Sequence, residues 1–144
     1  MNKMSRKTEY GLMSLKYLAD QEALQQASGS SVSAVFVSAK AVADATHAPF
    51  EVIARVLQVL SHRGLLKAEY GVNGGYQLAK KLNEISLFDV VEILETSPDL
   101  AKCINSAGEC ELEKTCSIAS PVANLNKKLH QFYKSLPLDE VLYV

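Results

Sequence analysis

Between Pro49 and Gly64, the residues Ile53, Val56, Leu57 and Leu60 recur at the i, i+3, i+4, i+7 spacing that lays one apolar stripe along a helix. Pro49 suits the first turn of such a helix, and Gly64 the position just past its end. Upstream, Ser38 is suited to cap a shorter helix carrying Ala39, Val42 and Ala43 and ending near Asp44 to Thr46. Short helix, tight turn and longer helix is helix-turn-helix order. Two strand-like runs follow, Leu65 to Tyr70 and Tyr76 to Ala79, joined by Gly71-Val72-Asn73-Gly74-Gly75. The pattern predicts a hairpin in which the glycines and Asn73 supply positive φ values and let the backbone pass close to another segment. A hairpin placed directly after a helix-turn-helix is a wing.

The rest of the chain is helical in pattern. An amphipathic helix is expected from about Thr8 to Gln25, with Leu12, Leu15, Leu18 and Ala19 apolar, followed by a polar loop from Ala27 to Ser33. Ser86 can cap a helix running through Glu95, with Asp89 near its positive end and Pro98 closing it. At 144 residues and 48% apolar content the chain holds one compact domain with an appendage. The expected divisions are a head over 1–97, a cysteine loop over 98–117, and a long helix with its tail over 118–144. Met1 to Lys7 is polar and basic, and no segment has the apolar length of a membrane span, so a cytoplasmic protein without membrane attachment is expected.

Charge divides the chain. Met1 to Lys81 carries 10 Lys or Arg against 6 Asp or Glu, whereas Leu82 to Val144 carries 5 against 10. The first part can meet a polyanion and the second repels one. With a wing beside it, this asymmetry points to double-stranded DNA. On the longer helix the apolar stripe leaves Arg55 and Gln58 on other faces, and these suit base reading: arginine pairs with guanine, glutamine with adenine. Arg6, Lys7, Lys40, Arg63 and Lys67 suit phosphates, with the wing-tip residues Asn73 and Gly74 close to the duplex. A solvated surface charge is the alternative for each. His47 and His62 read as turn and surface residues.

Cys103, Cys110 and Cys116 are the chain's three cysteines, and they share one Gly-containing stretch. Three thiolates on a loop can converge on zinc or on an iron–sulfur cluster, although the set is one ligand short of four. A disulfide with a spare thiol is the bland alternative, and an odd count in a reducing compartment speaks against it. After the cysteines, Ile118, Val122, Leu125, Leu129, Phe132 and Leu136 alternate spacings of four and three, the heptad seam of a helix that pairs with another helix. The seam could pack internally. A DNA reader gains from a symmetric homodimer, which presents two reading helices to two half-sites.

The run Val37 to Glu95 resembles the bacterial winged-helix transcriptional repressors that carry an iron–sulfur cluster, the IscR, NsrR and RirA group. The resemblance rests on Ala39 to Asp44, on His62-Arg63-Gly64-Leu65-Leu66, on the wing Gly71 to Ala79 and on Ile85-Ser86-Leu87-Phe88-Asp89-Val90-Val91-Glu92, with Lys7-Thr8-Glu9-Tyr10-Gly11-Leu12 fitting as well. It implies a mainly helical fold with a small β-hairpin wing, a winged helix-turn-helix head and a long C-terminal dimerisation helix. It also implies a dimeric repressor whose Cys103, Cys110 and Cys116 hold a cluster, 4Fe–4S in preference to 2Fe–2S, that senses iron, redox state or nitric oxide. Some members use a histidine three residues after the third cysteine, but that position is Ala119 here. Others use a carboxylate of the partner subunit near the start of the first helix, and Glu9 stands at that position, a plain carboxylate favoured there by the helix dipole being the alternative. Relatives often place an arginine before the first wing glycine, where this chain has Tyr70. A cluster-free regulator that senses through thiols or a protein partner, or a zinc-stabilised interaction module, is the alternative. No nucleophile and base pairing, phosphate loop or acid pair suggests an enzyme.

Overall fold

The computed structural model describes residues 3–29, 35–96, 98–101, 110–112 and 114–144. Cys103 and residues 30–33 of the predicted Ala27–Ser33 loop lie outside the described residues. The order is α1 (Arg6–Ala27), α2 (Ala39–Thr46), α3 (Phe50–His62), β1 (Leu66–Glu69), β2 (Gly75–Leu78), a 3-10 turn (Leu82–Glu84), α4 (Leu87–Leu94), α5 (Ala119–Lys134) and α6 (Leu138–Leu142). The described residues are mainly helical with a two-stranded antiparallel hairpin, as the pattern predicts.

Local chemistry sets the boundaries. Ser5, Ser38 and Ser86 each accept a backbone N–H from the first turn of the helix that follows, and Asp89 completes a capping box by accepting the Ser86 N–H at 2.8 Å. At the end of α3, the Leu65 N–H reaches the Leu60 carbonyl at 3.0 Å and the Gly64 N–H reaches Ser61 at 3.1 Å. That is a Schellman ending, and it needs the left-handed conformation that Gly64 adopts at φ 83°. The helix α4 stops at Leu94, before Pro98, because Glu95 turns extended and its carboxylate accepts the Ser5 N–H and the Thr8 hydroxyl.

The stripe of α3 is buried as expected: Ile53, Leu57 and Leu60 are fully enclosed, with Val56 beside them. Leu15 of α1, Val42 of α2 and Val90 of α4 close over it, so the head is built around α3. Gly11 allows the tight approach of α1, since a Cβ there would fall 2.3 Å from Leu94 Cδ1. In the wing, Leu66 pairs with Leu78 and Glu69 with Gly75, and Val37 adds an isolated bridge to Tyr76.

The expectation that Asn73 supplies a positive φ is corrected by the structure. Positive values fall at Gly71 and Gly75 in the wing, and His47 is the one non-glycine with φ above zero among the described residues. The tip closes through the Gly74 N–H on the Gly71 carbonyl at 3.1 Å, leaving Val72 and Asn73 as central residues. Both then keep negative φ, as the central residues of a type I turn do. Gly75 is fixed by space as well, because a Cβ would meet the Val37 carbonyl oxygen at 2.3 Å.

The chain beyond α5 returns to the head. The Leu87 N–H donates to Leu136 and the Leu138 N–H to Ile85, each at 2.8 Å, and Leu138 is fully buried. The Tyr143 hydroxyl donates to Asp20 on α1. Leu138→Ala is expected to cost about 2–5 kcal/mol, the range for emptying a buried leucine site. Urea unfolding with unchanged slope and a lower midpoint is the result that checks it.

Candidate nucleic-acid interface and cysteine site

With Ile53, Val56, Leu57 and Leu60 turned inward, α3 presents Glu51, Arg55 and Gln58 to solvent. Arg55 and Gln58 stand three positions apart, hence on neighbouring turns of one face. Lys7 from the start of α1 lines the same groove of about 660 Å³, whose apolar wall includes Phe50, Val59 and Ile93. The fold therefore brings one expected phosphate contact to the two expected base readers. Lys40 is exposed on α2, Arg63 just beyond α3 and Lys67 on β1, none of them lining that groove. Asn73 is exposed at the wing tip, and Gly74 is half-buried. His47 ends α2 in a left-handed conformation and His62 is the exposed last residue of α3, matching their expected places.

Three features of this surface carry no sequence signal of their own. Phe50 is 53% exposed at the first position of α3, and Tyr70 and Val72 stand free at the wing. Arg6 is held by Glu9, Nη1 to Oε2 at 2.7 Å, so its charge is partly answered within the chain. An i, i+3 pair tells of such contacts only weakly, because exposed ion pairs contribute little and form or break with their surroundings.

Behind these residues, Glu95 fastens the first turn of α1 to the end of α4. Burial pushes its carboxyl up, but hydrogen bonds from the Thr8 hydroxyl and the Ser5 N–H, with the Lys7 charge, hold it below 4.5 on balance. A depressed carboxylate stabilises the fold above its unfolded pKa, and that contribution disappears as pH falls through the folded value. Thr8→Val is expected to lose about 1 kcal/mol at pH 7. The gap to the parent protein should close as pH falls below about 4.5, because the protonated acid no longer needs the donor. Thermal unfolding of both proteins across pH 3–7 checks it.

Cys110 and Cys116 are free thiols, both half-buried, on a turn-rich segment that leads into α5 three residues after Cys116. No group of three or more His, Cys, Asp or Glu side chains gathers among the described residues, and Cys103 lies outside them. The donors that are described suit soft thiolate ligation, being unpaired and accessible without being bare. Glu9 lies in the first turn of α1, a third exposed. Ala119 is the first residue of α5 and offers no donor.

The seam is open to solvent in the single chain. Ile118, Leu125 and Phe132 are 59, 57 and 56% exposed, and the seam residues Val122 and Leu129 are half-buried. Leu136 lies past the end of α5 and packs against the head's core, so the open part runs from Ile118 to Phe132. No helix among the described residues is long and apolar enough to cross a membrane.

The chain is similar to known proteins in sequence and in fold. Protein aau3 of Rhizobium meliloti is 39% identical over 57% of the chain, which spans about half of that protein's length, 52%. The HTH-type transcriptional regulator NsrR of Shouchella clausii is 31% identical over 86% of the chain and 72% of its own. The structure of CymR, the global cysteine regulator of B. subtilis, superposes with a TM-score of 0.68 at 20% identity, covering 99% of this chain and 98% of that one. NsrR is a transcriptional regulator, not an enzyme. The family profile described as Rrf2, iron-dependent transcriptional regulator, matches residues 4–143, from the start of α1 through the winged head to the tail after α6, and the chain belongs to that family.

Proposed function

We propose that the chain is a homodimeric repressor acting on a double-stranded DNA operator in the cytoplasm. In this reading Cys103, Cys110 and Cys116, with Glu9 of the partner subunit, hold an iron–sulfur cluster, 4Fe–4S in preference to 2Fe–2S. The observation that carries it is the open seam of α5, which begins two residues beyond Cys116 and leaves the helix's pairing face unpartnered. Placing the cysteines at the root of a pairing helix puts any change at the thiols next to the spacing of the two heads. The family's description as iron-dependent supports iron as the metal. When bound, the cluster would supply a centre that iron limitation, oxidants or nitric oxide can damage. The chain's part is to offer three soft thiolates and one harder carboxylate, the carboxylate being the weaker hold and hence the open corner. Arg6 competes for that carboxylate through its 2.7 Å pair with Glu9. Arg55 and Gln58 read bases, and Lys7, Lys40, Arg63 and Lys67 hold phosphates, with Asn73 and Gly74 bringing the wing tip to the backbone.

Anaerobic purification followed by iron and sulfide analysis, an absorption spectrum and operator binding tests the reading. Iron, sulfide and visible absorption are expected in the parent protein and lost in Cys116→Ala, with operator affinity differing about tenfold or more between the two states. Glu9→Ala is expected to keep iron but shorten cluster lifetime in air; an unchanged lifetime would remove Glu9 from the ligand set.

A second reading has its own support. Cys110 and Cys116 are free thiols, and the fold is shared with a regulator named for cysteine. Colourless, iron-free protein whose operator affinity still responds to a thiol oxidant would favour a cluster-free redox regulator.

A further inference from the structure

The helix α5 is joined to the rest of the chain through an unusual contact. Among the described residues of α5 the one that is buried is polar, Asn126, at 6% exposure. Both halves of its amide are used. Its Nδ2 donates to Asp99 Oδ1 at 2.7 Å, and its Oδ1 accepts the Leu100 N–H at 3.0 Å. One turn further along α5, His130 Nε2 lies 3.2 Å from the same Asp99 oxygen, and its ring packs against Phe88 of α4 with centroids 5.0 Å apart. Lys134, another turn on, sets its ammonium 4.6 Å from the Phe88 ring centre.

Asn126, His130 and Lys134 therefore share one face of α5, about 100° to 180° round the helix from Leu125 in the middle of the open seam. That face touches two other bodies at once. Asp99 and Leu100 begin the segment that carries the cysteines, and Phe88 belongs to the head.

An apolar contact here would fix α5 in place without direction. An amide that gives one bond and takes one is directional, holding the segment in a single register, and water can replace both bonds when the segment is pulled away. Building on the function proposed above, we infer that Asn126, Asp99 and His130 form a releasable latch. It ties the root of the cysteine segment to the dimer helix and passes the state of the thiols to the seam. Asn126 and Asp99 are positioning residues in this scheme; neither ligates metal nor touches DNA.

Two substitutions test it in the full-length protein. Asn126→Leu keeps the volume and removes both bonds, whereas Asp99→Asn keeps an oxygen for the Asn126 amide. In reduced, metal-free protein, hydrogen exchange at the Leu100 amide is expected to quicken about fivefold or more in Asn126→Leu and to stay within about twofold of the parent in Asp99→Asn. For operator binding, the quantity is the ratio of affinities with and without the cluster, or with oxidised and reduced thiols. That ratio is expected to collapse to within about twofold in Asn126→Leu and to survive in Asp99→Asn, while the latch-independent affinity of the metal-free, reduced dimer is unchanged. A parent-like ratio in Asn126→Leu overturns the inference, and so does parent-like exchange at Leu100. If the parent protein itself shows no ratio, the proposed function falls, and the exchange measurement still decides whether the latch exists.

Discussion

Leu125→Asp combined with Phe132→Asp is expected to yield a folded monomer that binds a full operator about 10³-fold more weakly than the parent. Both side chains are more than half exposed in the single chain and lie on the open stretch of the seam, so the fold does not need them. In a two-fold dimer each substitution appears twice, and a buried leucine or phenylalanine contributes about 1.5–3 kcal/mol per copy. Four lost apolar contacts, with four carboxylates facing each other across the interface, exceed what such a pair of helices can absorb. The consequence for DNA follows from tethering. Once one head is bound, its partner sees the second half-site at an effective concentration of order millimolar, so a half-site with a dissociation constant near micromolar gains about 10³ from dimerisation. Sedimentation measures the mass, and fluorescence anisotropy with full and half operators measures the affinity. Retained dimer mass, or full-operator affinity unchanged in a verified monomer, would sink the dimer model. Half-site affinity should be nearly the same in both proteins.

Most of the head was legible because its signals are local and agree with one another. The stripe of α3 is bounded by Pro49 and Gly64, and the Schellman bonds to Leu60 and Ser61 show why glycine stands at that end. Ser38 and Ser86 cap the helices they precede, each through an oxygen three residues from its donor. What was not legible depends on distance along the chain. Leu138 looks like an ordinary tail residue, yet it is fully buried through a backbone pairing with Ile85, more than 50 positions earlier. Asn126 falls among polar neighbours on a helix whose apolar seam draws attention elsewhere, and its partners Asp99 and Leu100 come from before the cysteines. Asparagine tolerates positive φ, but Asn73 does not adopt it, because the closing bond from Gly74 to Gly71 selects a turn that does not require it. At the candidate site, the composition and spacing of the cysteines point to soft metal or redox chemistry, and the structure adds that Cys110 and Cys116 are free and half-buried. Glu9 is picked out only by its place in the resemblance; its 2.7 Å pair with Arg6 is a side-chain contact that spacing permits without requiring.

Arg55→Ala should leave the fold intact and lower operator affinity by about 2–6 kcal/mol, because a bidentate contact to guanine is worth about 1–3 kcal/mol and a symmetric dimer loses it twice. Stability should barely change, since Arg55 is exposed and makes no hydrogen bond or ion pair among the described residues. Loss of affinity alone does not establish base reading, because a phosphate contact weakens binding as well. The two roles separate in their dependence on sequence and salt. For a base reader, the substitution relaxes preference at one position in each half-site, and the penalty for changing that base pair in the parent operator disappears in the variant. Lys67→Ala is the contrasting case, expected to weaken binding to all sequences alike and to reduce the salt slope by about one unit per subunit. Competition binding with operators altered one base pair at a time, repeated between 50 and 200 mM salt, measures both. If Arg55→Ala weakens every operator equally and flattens the salt slope as Lys67→Ala does, α3 uses Arg55 to hold the backbone and Gln58 becomes the remaining candidate for reading bases. Lys7 shares the Arg55 groove, so the double substitution Lys7→Ala with Arg55→Ala should fall short of additivity if both engage the same stretch of duplex.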